Sequence, residues 1–188
     1  MSKLADILEF NRKFVENKEY EPYVTDKFPN KKIVVVSCMD TRLVELLPKA
    51  MNLKNGDVKL IKNAGAIVTM PFGNIMRSIL VALYELNAEE VFVIGHHGCG
   101  MTGLNAQSVI DKMRQAGIQQ EVFDTLVHSG IELERWLVGF DNVSESVKKS
   151  VGIIKNHPLL PPGTAVHGLI IHPRTGALDL VVNGYEPE

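Results

Sequence analysis

Lys32-Ile33-Val34-Val35-Val36-Ser37-Cys38-Met39-Asp40-Thr41-Arg42 is the stretch that decides the fold and points to the chemistry. Ile33 to Val36 are branched aliphatic residues in an unbroken run, as in strands buried on both faces. The run ends at Cys38, so a sulfur stands at the carboxyl end of a buried strand. In parallel α/β sheets that end is where ligands bind.

The same pattern recurs along the chain. Asp57-Val58-Lys59-Leu60-Ile61 reads as a second strand, running into a loop at Asn63-Ala64-Gly65. Val91-Phe92-Val93-Ile94 reads as a third and ends in Gly95-His96-His97-Gly98-Cys99-Gly100. Leu4, Ile7, Leu8, Phe14 and Val15 predict an amphipathic helix over residues 3–18. Leu43 to Met51 predicts a short helix in which Pro48 argues for a break or a late start. Ile75, Ile79, Leu80, Leu83 and Leu86 predict a long helix opened by Pro71 in its first turn. Helical patterns fill much of residues 104–155. After a loop with Pro158, Pro161 and Pro162, Val166 and Leu169-Ile170-Ile171 predict a strand. Leu178 to Val182 predicts the last one, joined through a turn at Pro173-Arg174-Thr175-Gly176. Strands alternating with helices predict an α/β fold: a mostly parallel central β-sheet flanked by helices, made mixed by the closing hairpin. The 188 residues are expected to form one domain, with residues 1–30 as an N-terminal helical arm.

Composition narrows the function classes. Hydrophobic residues make up 45% and charged residues 22%, which excludes a disordered chain. The net charge of −2 gives no basic excess for nucleic acid or an anionic membrane. No run of about 18 apolar residues is present to span a bilayer. Asp6 and Glu9 interrupt the apolar segment that a signal peptide needs, and the expected location is the cytoplasm.

Cys38 and Cys99 are too few for a disulfide scaffold, and in a reducing compartment cysteines serve more often as metal ligands, catalytic groups or buried small hydrophobes. Two thiolates with one imidazole make a three-ligand set that catalytic zinc uses, leaving a fourth position open. Gly95, Gly98 and Gly100 let the turn after the third strand fold tightly around His96 and Cys99. His97 competes with His96, because adjacent residues point to opposite faces and spacing alone does not choose between them. Asp40 and Arg42 lie two and four residues past Cys38. Asp40 can accept a hydrogen bond beside the metal or coordinate it, with Arg42 as its bidentate partner, or it can cap a helix beside an incidental ion pair.

Taken together, Cys38-Met39-Asp40-Thr41-Arg42 and His96-His97-Gly98-Cys99 resemble the Cys-x-Asp-x-Arg and His-x-x-Cys motifs of the β-class carbonic anhydrases, the archaeal-type branch more than the plant-type. Lys62-Asn63-Ala64-Gly65-Ala66 stands where that family usually has Arg-Asn-Ala-Gly-Gly, and Pro29 stands near the place of a substrate-holding glutamine of the plant-like branch. The resemblance implies one zinc per subunit on Cys38, His96 and Cys99, and an Asp40–Arg42 dyad. It implies reversible hydration of CO2 to bicarbonate and a proton. It also implies a homodimer or higher oligomer in which N-terminal helices embrace the partner.

Zinc lowers the pKa of a bound water to about 7 in the three-histidine carbonic anhydrases. Two thiolates cancel the charge of the ion, so groups around the ligands carry more weight here, Asp40 first among them. CO2 is uncharged and calls for an apolar pocket. Ile67, Val68 and Phe72, near the Gly65 loop, are candidates to line it, and backbone N–H groups near Gly65 or Gly100 are candidates to hold bicarbonate. The rival readings are a carbonyl sulfide or carbon disulfide hydrolase on the same scaffold, and a catalytically weak zinc-binding homologue. No Cys-x-x-Cys is present to support a thiol redox protein.

Overall fold

The computed structural model describes residues 2–186. Five strands form one sheet: β1 (Ile33–Cys38), β2 (Val58–Asn63), β3 (Glu90–His96), β4 (Ala165–Ile171) and β5 (Leu178–Val182). Their order is β2-β1-β3-β4-β5. The first four run parallel and β5 pairs antiparallel with β4. The helices are α1 (Lys3–Glu16), α2 (Leu43–Ala50), α3 (Asn74–Glu85), α4 (Ala106–Gln115), α5 (Gln120–His128), α6 (Leu133–Leu137) and α7 (Val143–Lys155). The mostly parallel α/β architecture and the closing hairpin are as the sequence predicts. Among the described residues no helix is long and apolar enough to cross a membrane.

Alternation along the strands divides the core in two. On one face Val34, Val36, Val91, Val93, Val166 and Ile170 pack with Met76 and Ile79 of α3 and Val147, Val151 and Ile154 of α7. On the other, Val35, Ile94 and Ile171 pack with Leu43 and Leu47 of α2, and this cluster takes in Cys38 and Cys99. The apolar run of β1 is thus explained by burial on both sides.

Two local expectations need correction, and one is refined. Pro48 does not break α2, which runs on through Ala50. The acceptor it leaves unpaired is the carbonyl of Val44, an exposed residue whose backbone water can reach. Pro71 does not open α3. It sits inside a turn closed by Gly73 N–H donating to Met70 O at 3.1 Å, where proline favours the second position, and the helix starts at Asn74 after Gly73 as its cap. The helical stretch over 104–155 is divided into four helices, with Gly117 (φ 99°) and Gly130 (φ 78°) in left-handed conformations just past α4 and α5.

Close helix–sheet contact requires a missing side chain on β4. A Cβ at Gly168 would lie 2.7 Å from Val147 Cγ1 and 3.2 Å from Val151 Cγ2. Gly168→Ala is therefore expected to destabilise the protein by about 1–3 kcal/mol through overpacking. Urea unfolding reads this as a lower midpoint, with metal content per chain unchanged; an unmoved midpoint would contradict the packing.

Candidate metal centre

β1 and β3 are neighbours in parallel register, with Ser37 opposite Ile94, so their carboxyl ends lie side by side. Cys38 closes β1 and His96 closes β3, while Cys99 follows in the next turn. The ligand atoms of Cys38, His96 and Cys99 all lie within 4.8 Å of one another, and all three residues are buried. The two sulfurs are 3.8 Å apart.

His96 Nδ1 lies 3.0 Å from the carbonyl of His97. A carbonyl only accepts, so Nδ1 carries the proton and Nε2 presents a bare lone pair. That Nε2 is buried and has no hydrogen-bond partner. An orphaned acceptor among two sulfurs is costly unless a cation fills the place, so the donor set fits a divalent zinc with a fourth position free. His97 takes the other direction: its ring is half exposed, with Nε2 3.5 Å from Asp179 Oδ2.

Asp40 and Arg42 stand at the rim of this cluster. Arg42 Nε donates to Asp40 Oδ1 and a terminal guanidinium nitrogen donates to Oδ2, each at 2.8 Å. The Arg42 backbone N–H adds a third bond to Oδ1 at 2.9 Å. The guanidinium also donates to Gly98 O at 2.9 Å, tying the dyad to the turn that carries His96 and Cys99. The Arg42 hydrogen bonds hold the Asp40 carboxyl well below the usual carboxylate range, against the effect of burial. Asp40 Oδ2 is 3.7 Å from His96 Nε2, so the carboxylate faces the ligand cluster.

The two thiols differ. Burial raises the pKa of both, but in Cys38 the adjacent His96 ring and the Gly65 and Asp40 backbone amides outweigh it and bring the value to about 7. In Cys99 burial prevails and pushes the thiol up to about 11. Lys62 Nζ donates to Cys38 O at 3.4 Å, and burial lowers its pKa.

The expected pocket residues scatter. Gly65 is at the cluster, but its N–H is directed to Cys38 Sγ at 3.4 Å. Ile67 flanks Gly65, where an added Cβ would meet Ile67 Cδ1 at 2.9 Å and Met101 Cγ at 3.0 Å. Gly100 is exposed and has open space beside it. Val68 is buried with Met76 and Val34 in the core on the other face, and Phe72 is 79% exposed with its ring 5.0 Å from His157. The structure does not bring Val68 or Phe72 to the ligand cluster. Met101 and the Gly98 carbonyl were missed from sequence; their only signal was closeness to Cys99.

Ala66 is a left-handed residue (φ 57°) that replaces a glycine of the expected motif. The conformation costs an L-residue about 1–2 kcal/mol. Its buried methyl returns about 0.8 kcal/mol, so the replacement leaves a modest net cost at this position.

The carbonic anhydrase family profile matches residues 33–178. A Bacillus subtilis protein named "Putative carbonic anhydrase YvdA" is 61% identical over 188 residues, which cover 100% of this chain and 95% of that one. The crystal structure of β-carbonic anhydrase isoform I of the protozoan Trichomonas vaginalis superposes with a TM-score of 0.87 at 34% identity, covering 98% of this chain and 100% of the other. A protein of Acidithiobacillus thiooxidans named "Carbon disulfide hydrolase" is 28% identical over 170 residues, or 84% of this chain and 74% of that one.

Because a thiolate must be made before a metal can bind, the raised Cys99 pKa carries a sign. Between neutrality and about 11, metal binding has to displace the Cys99 proton, so affinity should rise with pH across that window. Chelator competition on metal-stripped protein should show zinc affinity rising about tenfold per pH unit above pH 7 for one displaced proton. A pH-independent affinity would exclude a protonated resting thiol.

Proposed function

This chain belongs to the β-carbonic anhydrase family, and from that membership we propose that it catalyses the reversible hydration of CO2 to bicarbonate and a proton at a zinc ion held by Cys38, His96 and Cys99. The observation that carries the reading is the bare, buried Nε2 of His96 beside two sulfurs, faced by a carboxylate that Arg42 keeps ionised. Zinc held by these three residues would supply the Lewis acidity that makes a water-derived nucleophile available at neutral pH. The chain's own residues then orient it. Asp40 is an acceptor only, so an oxygen facing it must carry a proton to make the bond. That would fix the direction of its hydrogen and leave a lone pair for the carbon of CO2. Arg42 keeps Asp40 in place and links it to Gly98, so the acceptor and the ligand turn move as one unit.

Cys38→Ser should lose zinc and CO2 hydration together. Asp40→Asn should keep zinc and lose about 10–100-fold in CO2 hydration. Metal analysis and stopped-flow hydration on the same samples decide, and full activity in Cys38→Ser would end the proposal. A second reading, hydrolysis of carbon disulfide or carbonyl sulfide, is favoured by the similarity to the disulfide hydrolase. Sulfide release without CO2 hydration would establish it, and zinc binding with neither activity would mark a catalytically weak homologue.

We further propose that α1 docks on a second copy of the chain. Ser2 caps it, Glu9–Lys13 and Arg12–Glu16 pairs support it, and yet it buries no residue of its own. Leu4, Ile7, Leu8 and Phe10 all stand exposed along it. Such a helix is amphipathic without a core to serve. Deleting residues 1–16 should turn a dimer into a monomer in sedimentation velocity; an unchanged mass would place the interface elsewhere.

A further inference from the structure

Each cysteine of the cluster has a backbone amide from a neighbouring loop directed at its sulfur rather than at oxygen. Gly65 N–H donates to Cys38 Sγ at 3.4 Å, and Met101 N–H donates to Cys99 Sγ at 3.5 Å. Both amides are held there by the fold. Gly65 has φ 79°, a left-handed conformation that favours glycine, and the side chains of Ile67 and Met101 fill the space where a Cβ would go. Met101 is clamped at its other end, in the peptide that follows. Its carbonyl accepts from Phe140 N–H at 3.1 Å, and Gly139 passes so close that a Cβ there would lie 1.9 Å from Met101 O.

An N–H pointed at a thiolate draws charge from the sulfur and favours the ionised form. Two thiolates otherwise cancel the charge of a divalent ion and weaken it as an acid. We propose that Gly65 and Met101 are positioning residues of the metal centre. Their amides take charge off both thiolates, so the ion that Cys38 and Cys99 hold stays more electrophilic than two bare thiolates would leave it. The inference rests on the metal reading given above, but it concerns the strength of the ligands rather than their identity.

Cobalt(II) loaded in place of zinc reports this directly, because its sulfur-to-metal charge-transfer absorption moves to lower energy as the sulfur becomes more electron-rich. Two lesions in different loops are used. Replacing Met101 by its 2-hydroxy acid analogue turns the amide into an ester, deleting the donor and keeping the side chain. Gly65→Ala crowds Ile67 and strains the turn, moving the other amide away from Cys38. Either lesion suffices if the other does not fold. A red-shifted band is expected for each. An ester at Thr102 is the control, since its N–H donates to Cys99 O at 3.0 Å rather than to sulfur. An unmoved band in the folded variants, or an equal shift in the Thr102 control, overturns the inference. Absence of any sulfur-to-cobalt band in the unaltered protein overturns the metal reading itself.

Discussion

Parallel pairing of β1 with β3 is the constraint on which the site depends. Cys38 and His96 are far apart in sequence, and nothing local brings them together. They meet because the two strands end at the same edge of the sheet in a register that places Ser37 opposite Ile94. That register is set by burial. Val34, Val36, Val91 and Val93 all face α3 and α7. A slip of one residue would turn the whole set to the wrong side. The apolar core on one face therefore aligns the ligands, although Cys38 and Cys99 sit in the cluster on the other.

Given that alignment, short-range contacts refine the chemistry. The His97 carbonyl fixes the tautomer of His96, and Arg42 bridges Asp40 to Gly98. These bonds lie within a few residues of the ligands, and each restrains a group facing the cluster. The contrast between Cys38 and Cys99 has the same origin. Both are buried, but Cys38 lies against the His96 ring and receives two backbone amides, while the single amide given to Cys99 does not offset burial.

The sequence made legible whatever depends on periodicity and on residue type at strand ends. The unbroken run of β1 announced a covered strand and Cys38 at its end, while the residues alone left Asp40 and Arg42 open between a dyad facing the metal and a helix cap. The choice between His96 and His97 was closed to spacing, because alternation says only that the two diverge; the turn had to be seen to know which one points inward. Pro48 and Pro71 misled for opposite reasons. One was judged by intrinsic cost where an exposed carbonyl made it tolerable, and the other was assigned to a helix when it served a turn. The pocket residues were chosen by closeness to Gly65 in sequence, and a strand end scatters neighbours. Val68 turns into the opposite core and Phe72 goes out to His157.

The Asp40–Arg42 pair shows why ion-pair geometry matters more here than ion-pair strength. A partly exposed pair adds little to stability, since water screens it and holding two side chains still is costly. Yet this pair engages both carboxylate oxygens and, through Gly98, the ligand turn. Its effect is to keep an acceptor ionised and motionless beside the ligand atoms. A carboxylate free to rotate would satisfy its oxygens with solvent and face the cluster only part of the time. One held on two sides has a fixed remaining direction, toward His96 Nε2. The dyad's contribution is thus orientation, which requires a planar, two-pronged donor, and a lysine at position 42 would give the charge without the geometry.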